Sequence, residues 1–333
     1  MATLARTIGT GALVAAATLL AACGGGGGGD ASAKTGSLTL GITDAPVDVA
    51  DAVVVQFTGV ELKPKGGQAF SIDFATPKSL DLLALQGTNR AVLLDDEQVQ
   101  AGEYEWMRLK VAADPNVAGD SYIAIGGAQC ELRIPSGDQT GLKMIRGFTV
   151  GVGTTTDFTV DFDLRKSVVQ PPGQRTSVPT CDGQAFLLKP VLRVVDNLQV
   201  GTISGVVDPT LVAQQCPANE YGNVYLFGPY ASTDPVPVPD DVDGIDADGA
   251  DPITSAMVSL DESSNATYTI GFVPAGNYVV AYTCDADASD VDADLADTPA
   301  GADEDVAFTP AAGVPVTVTA NTTSTVDFAP VAP

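Results

Sequence analysis

Asp157-Phe158-Thr159-Val160-Asp161-Phe162-Asp163-Leu164-Arg165 places Phe158, Val160, Phe162 and Leu164 at every second position, with Asp157, Thr159, Asp161 and Arg165 between them. A period of two is that of a β-strand with one apolar and one polar face. The same alternation recurs on both sides of this stretch. Leu38, Leu40 and Ile42 share a face within Ser37 to Thr43, and Val53, Val55 and Phe57 share the next. Lys63-Pro64-Lys65-Gly66-Gly67 reads as a hairpin loop leading into Phe70, Ile72 and Phe74. Leu80 to Leu85 and Ala91 to Leu94 are short apolar runs, and Asp95 to Ala101 reads as a helical turn. Glu103 to Val111 is a strand carrying Trp106, the one tryptophan of the chain. Tyr122 to Ile125 and Glu131 to Ile134 form a hairpin, and Ala185 to Val195 closes this half. Many short strands with turn signals between them predict a β-sandwich.

The pattern restarts at Gly201 to Val207 and continues through Val224 to Phe227, Met257 to Leu260, Tyr268 to Phe272, Tyr278 to Cys284, Val314 to Val318 and Thr325 to Phe328. With 35 Gly and 22 Pro and few helix-period windows, the expected class is all-β. It comprises two β-sandwich domains in tandem, 37–198 and 199–333, with the boundary within Val195 to Gly201.

The amino end sets the compartment. Arg6 precedes an apolar run from Ile8 to Leu20, which is too short for a permanent membrane-spanning helix and has the form of a secretory signal. The run ends on Leu20-Ala21-Ala22-Cys23, followed by Gly24 to Gly29. This resembles the lipobox of bacterial lipoproteins. The resemblance implies a signal peptide over 1–22, lipidation at Cys23 as the first mature residue, and a membrane partner reached through the lipid anchor. Gly24 stands where an Asp would signal retention at the inner membrane, which implies the outer membrane, facing either the periplasm or the cell surface. Residues 23–36 then read as a flexible Gly-rich tether with an r.m.s. span of roughly 20 Å.

Net charge is −26 and unevenly placed. From Gln199 to Pro333 there is no Lys or Arg against 21 Asp and Glu, whereas Asp30 to Leu198 carries 21 acids against 15 Lys and Arg. Such a field repels phosphate polymers and argues against nucleic acid as a partner. Four cysteines remain after Cys23, two in each half, and an oxidising compartment suits the pairs Cys130–Cys181 and Cys216–Cys284. The rival zinc reading lacks any Cys-x-x-Cys spacing, and the chain has no His.

Gly36 to Pro46, Val53 to Leu62, Gly102-Glu103-Tyr104 to Val111, Asp161 to Ser167 and Leu188-Lys189-Pro190-Val191-Leu192 together resemble domain of unknown function 4382, a family common in bacterial lipoproteins. The likeness spans about Gly36 to Asn197 and implies location and fold class, with no established chemistry attached. Tyr268 to Val280, with Pro274-Ala275-Gly276 at its centre, resembles the carboxypeptidase-regulatory or transthyretin-like β-sandwich over about Gly201 to Phe328. That resemblance implies a turn joining two core strands, with Tyr278 and Val280 facing inward. Related surface modules carry Lys–Asn isopeptide links, which a half without Lys excludes.

The absence of His removes Ser-His-Asp and Cys-His catalysis and most transition-metal sites. The Gly24 to Gly29 run lacks the Lys-Ser or Lys-Thr of a phosphate loop. Asp161 and Asp163 lie on one strand face, a spacing compatible with paired-carboxylate glycoside hydrolysis or with a cation. The favoured reading is a solvated face with Arg165 and Lys166 to pair. Asp44, before Ala45-Pro46, reads as a turn residue. The run Asp240 to Asp251 resembles the Asp-rich repeats of extracellular calcium modules, although it lacks the closing Glu of an EF-hand. Candidate Ca²⁺ ligands are Asp241, Asp243, Asp246, Asp248 and Asp251, then Asp285, Asp287, Asp290 and Asp292, in the weak range of about 10⁻⁴–10⁻³ M. The competing reading of both runs is a solvated, self-repelling acidic loop. The expected function is a non-enzymatic, membrane-anchored envelope lipoprotein, a binding or structural module for Ca²⁺ or an extracellular protein or glycan. The alternatives are a carbohydrate-active or other hydrolase using paired carboxylates, and a passive component of an envelope assembly. No cofactor other than calcium is expected.

Overall fold

The computed structural model of the chain describes residues 34–45, 50–112, 120–135, 141–144, 147–171, 180–181, 185–240, 250–284 and 306–330. The signal segment, Cys23 and the tether up to 33 lie outside them. In chain order the strands of the first half are β1 (Thr35–Ala45), β2 (Ala52–Pro64), β3 (Phe70–Asp81), β4 (Ala91–Gln100), β5 (Gly102–Ala112), β6 (Tyr122–Ile125), β7 (Ala128–Arg133), β8 (Leu142–Met144), β9 (Phe148–Val150), β10 (Thr155–Asp163), β11 (Val168–Val169), β12 (Phe186–Leu188) and β13 (Leu192–Asp196). The second half supplies β14 (Val200–Val207), β15 (Asn223–Tyr230), β16 (Pro252–Met257), β17 (Ser259–Leu260), β18 (Ala266–Pro274), β19 (Gly276–Thr283), β20 (Thr309–Val318) and β21 (Thr323–Thr325). Two short helices, α1 (Leu164–Ser167) and α2 (Pro209–Gln215), and a 3₁₀ turn at Leu82–Leu85 complete the described elements. The protein is all-β, as expected.

The first half is a sandwich of a four-stranded sheet, β13-β10-β1-β4, on a nine-stranded sheet running β11-β12-β7-β6-β2-β5-β8, with β3 on β2 and β9 on β5. Leu38, Leu40, Ile42, Val160 and Phe162 form the inner row of the smaller sheet, all fully buried. They meet Phe57, Val60, Leu62 and Leu109 of the larger one. Phe57 and Phe162 touch edge-to-face at 6.2 Å across the gap. Burying each such side chain contributes about 1.5–3 kcal/mol. On β2 the apolar positions switch from odd (Val53, Val55, Phe57) to even (Val60, Leu62). The register shifts between Phe57 and Gly59 against both β3 and β5. That bulge keeps these five side chains on the core side.

The second half packs β17-β18-β14-β21 on β16-β15-β19-β20. Its core, separate from that of the first half, holds Ile203, Leu226, Tyr268, Ile270, Tyr278, Val280, Tyr282 and Phe328. Ala275 alone separates β18 from β19, and these strands belong to different sheets. The Pro-Ala-Gly turn is thus the step from one layer to the other. In α2, Asp208 accepts from Thr210 N at 2.7 Å and Pro209 opens the helix, an N-terminal arrangement that the strand-centred sequence reading passes over.

Cys130 bonds to Cys181 and Cys216 to Cys284, with sequence separations of 51 and 68. On a chain-entropy argument each contributes about 4 kcal/mol. The first ties β7 to the segment before β12, and the second ties the end of α2 to the end of β19.

Three expectations need correction. Asp95 to Ala101 is not a helical turn, since it belongs chiefly to β4, paired with β1 from Thr35↔Gln100 to Ile42↔Ala91. Residues 35 and 36, read as tether, already lie in β1, where Gly36 packs so closely on Gly151 O that a Cβ would sit 2.1 Å from it. Asp44 is a buried strand residue, in register with Phe162.

Candidate functional site

The polar face of β10 is the place where sequence and structure differ most. Thr159, Asp161 and Asp163 are buried, not solvated. The pairing of β10 with β13 sets Arg193 directly opposite Asp161, and its Nε and Nη2 both donate to Asp161 Oδ2, the former at 3.1 Å. Arg193, brought in by strand pairing from outside the local sequence, is therefore an ion-pair partner of Asp161. Asp163 closes the strand and caps α1, accepting from Lys166 N at 3.3 Å. Burial, with Asp161 nearby, pushes its carboxyl from 3.8 up to about 6, against the opposing pull of Lys166 and Arg165.

What covers this face is the second half of the chain. Lys166 Nζ donates to Pro252 O on β16. The Arg165 guanidinium lies over the Tyr225 ring of β15, 5.0 Å from its centroid. Gly87 and Gly271 approach so closely that a Cβ on Gly271 would stand 2.2 Å from Gly87 O. Thr43 Oγ1 lies 2.8 Å from Leu85 O and 2.9 Å from Asn89 O, which holds the loop carrying Gly87. Thr43, Asp44 and Asp161 from one half, with Thr254, Ser255 and Gly271 from the other, line a polar cavity of about 10 Å³. That is roughly the room one water molecule needs. The carboxylates singled out as a catalytic pair are thus buried in an internal contact, one clamped by an arginine and the other capping a helix.

Among the candidate calcium ligands, Asp241, Asp243, Asp246, Asp248, Asp285, Asp287, Asp290 and Asp292 lie outside the described residues, as does Cys23. Asp251 is described, beside the bridge of Pro239 to Ala250 that brings together the two ends of the acidic run. Among the described residues no three His, Cys, Asp or Glu side chains converge on a common point. Nor is any described helix long and apolar enough to cross a membrane. An apolar cleft of about 520 Å³ lies beside α2, lined by Val212, Ala213, Cys216, Tyr221, Leu260 and Ala266.

Comparison with known proteins gives one family match and a few remote structural likenesses. No curated protein matches the chain. Among solved structures, a leucine-rich repeat protein from Bacteroides thetaiotaomicron is 12% identical, with 90% of this chain and 26% of that one covered and a TM-score of 0.19. The chain thus spans about a quarter of that protein. The minor pilin of Streptococcus agalactiae is 12% identical over 89% and 99% of the two chains, with a TM-score of 0.16. The fimbrial anchor protein of Porphyromonas gingivalis is 11% identical over 73% and 77%, also with a TM-score of 0.16. Scores of this size carry no argument about fold or function. Residues 35–190, the first sandwich, match the family described as Domain of unknown function (DUF4382).

Proposed function

We propose that this chain is a non-enzymatic lipoprotein of the bacterial cell envelope, anchored through Cys23, whose two β-sandwich domains serve as a binding or structural module. The observation that carries the reading is the conjunction of Leu20-Ala21-Ala22-Cys23 with the disulfides Cys130–Cys181 and Cys216–Cys284 in a single chain. Stable disulfides belong to oxidising compartments, and the short apolar leader is a route there. The burial of Asp161 and Asp163 supports a structural use of the carboxylates that a hydrolase would need. Lipid on Cys23 and the Gly run would hold the sandwiches near the outer membrane without pressing them on it. The acidic runs around Asp240 to Asp251 and Asp285 to Asp292 would face an extracellular partner or Ca²⁺.

Metabolic labelling with radioactive palmitate tests the anchor. The native chain is expected to incorporate label and to sediment with membranes, whereas Cys23→Ser is expected to do neither. Label-free, freely soluble native protein would overturn the reading. Calorimetric titration of the mature protein with Ca²⁺ tests the acidic loops, where neither heat nor a shift in Tm at several mM would remove calcium.

A further inference from the structure

Trp106 sits on the outer side of β5, with Arg108 and Lys110 following it on the same face. Lys63 of β2 stands in register with Trp106, and Glu61 with Arg108, while Lys143 of β8 is in register with Arg108 on the far side. The cations gather on the indole. Arg108 lies 4.9 Å and Lys143 4.8 Å from the Trp106 ring centroid. Two of the positive charges on this face have their own acids, Arg108 with Glu61 at 2.9 Å and Lys110 with Asp73. Among the described residues Lys63 and Lys143 have no carboxylate partner, and Lys63 donates only to Gly67 O. One residue pair further along, Pro64 and Tyr104 line a groove of about 470 Å³ between the Pro64 to Gly67 turn and the Gln100 to Glu103 turn.

In a chain of net charge −26, this is an aromatic ring with two cations gathered over it. We infer that the outer face of β2, β5 and β8 around Trp106 is a docking surface for an acidic polysaccharide of the uronic acid type. Each element of the face has a counterpart in that ligand. The C–H-bearing side of a pyranose ring packs on the electron-rich face of an indole. A carboxylate on the same ring pairs with Lys143 or Lys63, and exposed Lys143 can swing from the ring toward it. An acidic peptide offers carboxylates but no ring face to lay on the indole. A nucleic acid duplex keeps its base rings stacked inside and offers the indole only a dense row of phosphates, which the chain of net charge −26 repels. The inference rests on the proposed extracytoplasmic location, where such polymers are met.

Because Trp106 is the single tryptophan, intrinsic fluorescence reports on this face alone. The mature chain without its lipidated cysteine, residues 24–333, is titrated with a galacturonic acid oligomer, with neutral dextran and with polyglutamate of matched length. The uronate oligomer is expected to change the emission in a saturable way that weakens with salt, and the other two are not. Lys63→Gln with Lys143→Gln is expected to weaken binding at least tenfold with Tm unchanged. Trp106→Phe, followed by calorimetry, is expected to lose a similar factor. No response to the uronate, equal binding of polyglutamate, or full affinity in the lysine variant would overturn the assignment. These outcomes leave the palmitate result untouched, so failure of the surface and failure of the anchor are told apart.

Discussion

Strands β10 and β5 belong to facing sheets of one sandwich, and each sets charged side chains on the side away from the shared core. On β10 that outer row, Asp161 and Asp163, is 6% and 9% exposed beneath the second half of the chain. On β5 the outer row, Trp106, Arg108 and Lys110, remains half-exposed. The two rows have similar alternation and opposite surroundings. Alternation reports which face is apolar, but whether the other face meets water depends on chain that folds onto it later. The consequences differ in size, because a charge inside a contact depends on its partner far more than a charge in solvent does.

Arg193→Ala should break the buried side most severely. It leaves Asp161 enclosed without its guanidinium, and a loss of about 3–5 kcal/mol is expected in chemical denaturation. A loss below about 1 kcal/mol would show that water reaches Asp161 and that the two faces are alike. Gly271→Ala comes next, since its methyl would collide with Gly87 O between the halves. We expect about 1–3 kcal/mol of destabilisation.

Asp163→Asn runs in the opposite direction. Between pH 3.8 and about 6 the folded chain holds a proton on Asp163 that the unfolded chain has released. The stability linked to this group is present at low pH and lost as the pH rises through about 6. Asparagine keeps the helix cap without a buried charge, so Asp163→Asn should be more stable than the native chain by about 1–3 kcal/mol at pH 7. That advantage should vanish below pH 4, as read by Tm across the range. On the partly exposed face of β5, Arg108→Ala should cost about 1 kcal/mol, since solvent still screens part of its pair with Glu61.

These contrasts also explain what could be read from the chain in advance. Leu38, Leu40, Ile42, Phe158, Val160 and Phe162 announce their strands because burial on one face imposes a period of two. Strand pairing partners have no such local signal. Nothing near Asp161 in sequence points to Arg193, which the register between β10 and β13 delivers from 32 residues away. The acid run Asp95-Asp96-Glu97 resembles a helix start. In the structure it lies on the exposed edge of the sheet, where charge discourages pairing with another strand, and Asp96 takes a left-handed turn at φ 51°. Helix α2 did have a readable start in Asp208-Pro209.

The central placement of β1 has a mechanical consequence. This first described strand lies between β10, parallel to it, and β4, antiparallel. A pull on the amino end along the strand therefore loads both ladders of hydrogen bonds in shear, all at once, instead of peeling them open one by one. Tension arriving from the amino-terminal side would meet the sandwich along its most resistant direction.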